Sequence, residues 1–535
     1  MQLNISKIGV KIVINSPFLY TNMVSPLKIE DDLSKTPSFW IGDAQKGNEI
    51  LQGIFNWDEI KELEELEELG LECPWDHKKP SHSWLEYAHS FEWIYDVRAT
   101  STSISQERSV DWVEKWLKKY EKVKQPIWRS DIVARRLSSW LANFNYITSN
   151  MNKRANDAFI DSISMHIGHL IFTNSHDCTT EQQKLTAKRG LIIGLLASNN
   201  KTVDVKFHLN EFYQILEDNL NGDGMNKFRN IPVQVSFAKD AFMVQSMLNK
   251  LSINAPDSLN DSIVKILSVL KVFIYSDGSF AHFAGAGGSL HYLKQILNRY
   301  ARKIYNTTKL EETGFYNVIA GKTQVLFDCS NRSETIYDDA GILSFEMNHA
   351  KQRIFANCGY YKNLDTPMYN ACKNTAAHNT ITVNNYNALS IGNRSRITKV
   401  KGSLINDKGW SLLQGSHDGF EKITNSLLKR VIAINENGTE IIGEDSFERL
   451  VGIHDITSRF HLHPDVKVSI LSSKHEAMLQ VGKQGWKFKI EGGKLSLQPS
   501  FFVDAQGNSR KTNQLVFETK SISQYVTMRW HISLQ

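Results

Sequence analysis

The sequence has no run of 18 or more apolar residues, so a membrane-spanning helix is not expected. Its first residues, 1–13, alternate Ile and Val with Lys and polar residues. They lack the unbroken apolar core and small-residue cleavage site of a secretory leader. The direct reading is a cytoplasmic chain, or a periplasmic one if the numbering begins after a removed leader. Cysteine is scarce: Cys73, Cys178, Cys329, Cys358 and Cys372 follow no metal-ligand spacing, and an odd five argues for reduced thiols rather than a disulfide framework. There is no dense Lys/Arg cluster, and the net charge of +5 is too mild to imply nucleic acid, although it suits an anionic polymer. Also missing are HExxH, a Gly-rich loop followed by Lys-Ser/Thr, and a convincing Ser-His-Asp set.

What is present divides in two. At 535 residues the chain exceeds a single small core. Up to about residue 310 the hydrophobic period is helical. Val110, Val113, Trp116, Leu117 and Tyr120 recur on one face, as do Ile132, Val133, Leu137, Trp140, Leu141 and Phe144. Further helices are predicted over 159–172, 181–197, 208–220, 233–251, 259–275 and 289–304. Residues 221–232 and 276–288 read as loops. The acidic run 59–68 reads as a solvated helix face.

From about residue 322 the period becomes two. Short β-branched or aromatic segments, among them 323–328, 343–347, 353–357, 379–383, 427–435, 457–463 and 524–532, are separated by Gly, Asn and Asp turns. Consecutive strands of this kind imply stacked antiparallel sheets. The expected fold is α+β and multidomain, helical over 1–310 and a β-sandwich over 311–535.

Several phrases carry a more specific signal, in order: WLEYAHSFEWIYDVRA at 84–99, DGMNKFRNIP at 223–232, DGSFAHFAG at 277–285, GILSFEM at 341–347 and NCG at 357–359. KNTAAHNTITV at 373–383, SHDGF at 416–420, GED at 443–445 and SRFHLHPDV at 458–466 follow. Together they resemble the heparinase II/III-like polysaccharide lyases. That resemblance implies an incomplete (α/α) toroid, a β-sandwich and an active cleft between them. It also implies cleavage of a uronic-acid polymer by β-elimination with no required cofactor. The alternatives are a non-catalytic carbohydrate-binding or envelope-polysaccharide assembly protein on the same fold, and a glycoside hydrolase.

By this resemblance His378 is the active-site histidine, acting as base or orienting the sugar carboxylate; by residue chemistry alone the commoner reading is a structural histidine hydrogen-bonded at a strand start. Lys373 stands where relatives often carry Arg, and is read as neutralising a carboxylate as a point charge or, equally, as a surface lysine. Arg229 and Asn230 are expected to bind substrate, Arg229 facing the sugar acid; they lie in the loop where active relatives supply a catalytic Tyr, but no Tyr occurs at 223–233. The Asn-His pair of active relatives is also not evident; KLTAKRG at 184–190 stands near its place. His282 is expected in a sugar-contacting loop or a structural turn. His89 and Trp93 are expected on a toroid-lining platform or in the core. His291 and Tyr292 are possible acid/base substitutes. His417, His461 and His463, with Asp418, form a possible structural zinc set, with hydrogen-bonded histidines as the plainer reading.

Overall fold

The computed structural model describes residues 6–30, 32–54, 73–76, 80–120, 122–123, 125–286, 291–331, 339–361, 366–389, 399–504 and 507–535. The acidic run 59–68 lies outside them. The helices are α1 Lys7–Ile14, α2 Pro17–Met23, α3 Ala44–Leu51, α4 His82–Ser90, α5 Ile94–Ala99, α6 Ser103–Tyr120, α7 Ser130–Ala142, α8 Phe144–Thr148, α9 Lys153–Thr173, α10 Glu181–Ser198, α11 Val205–Asp218, α12 Ile231–Lys250, α13 Asp257–Val272 and α14 His291–Tyr300, followed in the strand region by α15 Pro367–Lys373 and α16 Glu421–Thr424. None is long and apolar enough to cross a membrane.

The chain divides into two compact units. The first comprises Met1–Asn219, Val235–Val264 and His291–Arg302; the second comprises Leu220–Gln234, Lys265–Leu290 and Lys303–Gln535. The first is the helical toroid. Its helix starts are capped as the sequence dictates: Thr180 and Gln183 close a reciprocal capping box at α10, and Asp204 caps α11. Between α7 and α10 the backbones approach closely, and a Cβ on Gly190 would lie 2.2 Å from that of Ala134. The indoles of Trp93, Trp116, Trp128 and Trp140 are fully buried in this unit.

The second unit is the β-sandwich. A five-stranded sheet runs in order through β1 Lys309–Leu310, β2 Phe315–Ala320, β3 Thr323–Asp328, β4 Phe345–His349 and β5 Gln352–Phe355. Next in the chain come β6 Ile381–Val383, β7 Val400–Asp407, β8 Trp410–His417, β9 Leu428–Asn435, β10 Glu440–Glu448, β11 Asp455–His461, β12 Val466–Ile470, β13 Glu476–Val481, β14 Gln484–Glu491, β15 Lys494–Val503, β16 Ser509–Lys520 and β17 Tyr525–Leu534. They form an eight-stranded sheet, β12-β13-β14-β17-β10-β9-β8-β7, and a four-stranded one, β15-β16-β11-β6. Phe327 and Phe345 of the first sheet, Trp486 and Trp530 of the second and Phe460 and Phe517 of the third share one apolar core. Within it Arg430 and Asp445 form a fully buried, two-pronged ion pair at 2.5 and 2.9 Å.

Candidate functional site

The segment leading into β6 is built to hold one imidazole. Thr366 caps α15 and Pro367 occupies its first turn, so a short helix forms and stops at Lys373. A single 3-10 turn, Thr375–Ala377, follows and delivers His378 in extended backbone. The turn is pinned on several sides. The Thr375 hydroxyl donates to the carbonyl of Ala340 at 2.8 Å, the backbone N–H of Cys358 to Ala377 at 3.0 Å, and Nε2–H of His461 to Ala376 at 2.9 Å.

His378 itself is nearly enclosed, with 8% of its side chain exposed. Its Nδ1–H donates to the carbonyl of Asn374 at 2.9 Å, which leaves Nε2 as the nitrogen available for chemistry. That atom lies 3.9 Å from Oδ1 of Asp339, whose carboxylate also accepts the N–H of Gly341 at 2.9 Å. Gly341 backs the ring: a Cβ there would sit 2.4 Å from Cδ2 of His378.

Behind the imidazole, two asparagines connect the sheets. Asn357 accepts the N–H of Asn379 at 2.8 Å, and Asn379 accepts that of His461 at 2.5 Å while donating to Phe345 at 2.9 Å. The carbonyl of Asn379 receives Nη1 of the buried Arg430 at 2.7 Å. Asn357 also donates its backbone N–H to Glu346 at 2.7 Å. Glu346 is fully buried, so its carboxyl is raised above the usual range, and it accepts Tyr275 Oη–H at 2.9 Å and the N–H of His282 at 3.1 Å. These groups escaped sequence reasoning. Asn357 and Asn379 lie within NCG and KNTAAHNTITV, and Asp339 stands just before GILSFEM, yet no spacing signals that they meet.

The remaining expected residues fare differently. Lys373 closes α15 with its ammonium 4.7 Å from the Tyr369 ring centroid, and its carbonyl accepts the N–H of Ala340 at 2.8 Å. It therefore flanks the same pinned turn as His378. His282 donates Nδ1–H to the carbonyl of Asn357 at 2.9 Å and packs on Phe502. Burial drives its pKa down to about 3, which keeps it neutral. Arg229, in left-handed backbone, directs its guanidinium to the carbonyls of Asn331 and, at 3.4 Å, Glu312.

Three expectations are corrected. Asn230 does not offer its amide oxygen to substrate: it accepts the N–H of Val233 at 3.0 Å and caps α12. Of the two readings of His89 and Trp93, the core one holds and the toroid-lining one does not. Phe91 takes a left-handed conformation and breaks the helix between them, so helical spacing does not apply, and both side chains are fully buried. His417, His461 and His463 do not meet as a zinc set; among the described residues no three His, Cys, Asp or Glu groups are arranged for a metal. His417 ends β8 in the eight-stranded sheet, while His461 ends β11 in the four-stranded sheet and accepts Ser500 Oγ–H at 2.7 Å.

The toroid has its own charged cluster. Glu92 accepts Arg135 at 2.5 and 3.0 Å and Lys239 at 2.6 Å. Burial would raise this carboxyl, but the two cations prevail and hold it well below the usual range. Arg189 and Asp240, from KLTAKRG and α12, pair at 3.0 Å, fully buried. Tyr292 donates to Asp96 at 3.3 Å, and His291 donates Nε2–H to the carbonyl of Ile41 at 2.8 Å.

Comparison with known proteins fits this architecture. Residues 305–531 match the family model described as Heparinase II/III-like, C-terminal. The C-terminal part of the chain, residues 305–531, is therefore heparinase II/III-like. A solved heparinase III structure matches the chain with a TM-score of 0.72 at 13% identity, over 99% of this chain and 89% of that one. The heparan sulfate lyase HepC from Pedobacter heparinus matches with a TM-score of 0.64 at 12% identity, over 98% and 88%. At these identities the likeness is one of fold. In sequence, FtsZ-localized protein C of Caulobacter vibrioides is 22% identical over 84% of this chain and 81% of its own.

Proposed function

We propose that this heparinase II/III-like protein cleaves a uronate-containing acidic polysaccharide by β-elimination, with His378 facing the sugar acid. The observation that supports this is the imidazole held by the Asn374 carbonyl, its Nε2 3.9 Å from Asp339, on a turn pinned by three neighbouring segments. Rigidity of that kind is what a catalytic group requires and a solvent-facing histidine does not.

In the elimination, a base removes the proton on C5 of the uronate, and the electron pair becomes the C4=C5 double bond. The C4–O bond breaks, and the departing oxygen takes up a proton. The carboxylate beside C5 must be neutralised or hydrogen-bonded for that proton to be acidic enough. His378 offers Nε2 for base or carboxylate contact, and the ammonium of Lys373 supplies positive charge at the far end of the same turn. No tyrosine from 223–233 takes part, so the base and acid roles fall to other groups.

A second reading has its own support. The relative matched over most of both chains is named for localisation with FtsZ, and the loop that holds Arg229 and Asn230 spends both side chains on backbone groups. A non-cleaving carbohydrate-binding or envelope-assembly protein fits those observations.

A panel of heparan sulfate, hyaluronan, alginate and bacterial exopolysaccharides separates the readings. A lyase generates an ultraviolet-absorbing unsaturated uronate, a hydrolase only new reducing ends, and a binder retains polymer without either product. The last two outcomes would overturn the lyase proposal.

A further inference from the structure

Among the described residues, the toroid buries one arginine without a carboxylate. Arg136, in the middle of α7, has 0% exposure. Arg189 and Arg430, as deeply buried, pair with Asp240 and Asp445. Arg136 donates Nε–H to Nε2 of His166 at 2.8 Å and Nη1 to the carbonyls of His89 and Ile127 at 2.9 and 3.4 Å. Its Nη2 has no partner. Indole faces surround the guanidinium, with the Trp116, Trp128 and Trp140 centroids at 4.3, 5.5 and 5.9 Å.

The surrounding polar atoms point to one chemistry. His89 accepts Trp116 Nε1–H on its Nδ1 at 2.9 Å, so the neutral ring carries its proton on Nε2, and that N–H has no acceptor. The indole N–H groups of Trp128 and Trp140 also lack one. Both indoles pack on His166, at 4.6 and 5.0 Å. His166 cannot supply the missing acceptor: its Nε2 already takes Arg136, and its Nδ1–H donates to Ser162 at 2.6 Å. What is unsatisfied here is therefore donors, on residues that pack against the guanidinium or its His166 partner. Burial lowers the guanidinium's pKa, but its charge persists at ordinary pH. An uncompensated buried charge is costly, and quadrupole attraction from indole faces offsets only part of that cost.

We propose that the helical unit holds a small monovalent anion of halide size at Arg136, bound by Nη2 and neighbouring N–H donors as a structural counter-ion. A carboxylate side chain would do the same work in Arg189 and Arg430; here the counter-charge is exchangeable. Burial and the charge of Arg136 hold His89 down at about 3, so the ring stays a neutral donor and does not compete with the guanidinium for the anion. Stability of this unit then depends on the halide in the buffer.

The test uses the intact chain. Crystals grown with bromide should show an anomalous peak within contact distance of Arg136 Nη2. Replacing gluconate by chloride at constant ionic strength should raise the melting temperature by several degrees. Arg136→Met should melt independently of chloride, whatever its absolute stability. If that variant does not fold, the bromide crystal of the natural chain decides. No anomalous peak, or a water in its place, overturns the proposal. A peak with chloride-independent melting means binding at crystal concentration only, and overturns it equally.

Discussion

Nε2 of His378 and Oδ1 of Asp339 lie 3.9 Å apart, and the imidazole is fixed from its other nitrogen by the Asn374 carbonyl. If this ring meets the sugar acid, its removal affects chemistry and not folding. His378→Ala is expected to lower turnover by about 10²–10⁴-fold, the usual contribution of a positioned acid or base. Its circular dichroism spectrum should match the parent. Retained turnover would remove His378 from the mechanism.

Gly341 provides a finer probe of the same geometry. Its backbone lies outside the left-handed region, so alanine there is conformationally acceptable, and the three atoms nearest the new Cβ all belong to His378. Gly341→Ala should displace the imidazole and reduce kcat by at least tenfold, with a small change in melting temperature. An unchanged kcat would show that the ring's position is immaterial.

Arg430 and Asp445 carry a structural prediction. Arg430 is fully buried, grips Asp445 with two donors, and spends Nη1 on the carbonyls of Leu343 and Asn379. Asp445→Asn leaves that cation without its counter-charge and should destabilise the sandwich by about 3–5 kcal/mol in urea unfolding. A loss below about 1 kcal/mol would mean that the interior relaxes around the charge.

Acid should weaken the fold through histidine. Burial holds His89, His169, His282, His417 and His461 down at about 3, far below the ordinary 6.5. Below pH 6.5 the unfolded chain takes up protons on these rings while the native chain does not, so unfolding gains protons and stability falls as pH drops toward 3. The urea midpoint at pH 5 should lie clearly below that at pH 7.5. Equal midpoints would contradict the buried, neutral assignment.

The two-part architecture was legible because its signal is periodic. The prediction over 181–197 becomes Glu181–Ser198, and that over 323–328 becomes β3 with the same bounds. Some of the strands missed have a sequence that is not apolar on alternate positions. Strands β7 and β8 carry Gly, Ser and Asn and owe their extended state to register with one another, Val400 opposite His417. Strand β15 contains Pro499, tolerated because β15 is the edge of its sheet. At the N-terminus, β-branched Ile and Val masked α1, which its Ser6 cap helps to form.

The site was legible only in part. A histidine before an alternating strand was visible, and so was its companion lysine. Nothing in one dimension reveals that Asp339 approaches His378 across an intervening segment, or that Asn357 and Asn379 tie together three strands. Nor does it show that Phe91 breaks a helix and sends His89 inward. The first two depend on tertiary contact between residues tens of positions apart, and the third on a local left-handed residue; periodicity encodes neither.

The most direct test follows ultraviolet absorbance of the unsaturated uronate when the purified chain and His378→Ala are incubated side by side with the glycan that the natural chain binds best. The account predicts rising absorbance with the former and none with the latter. A glycan that binds tightly while neither protein produces the signal, or equal signals from both, would contradict it.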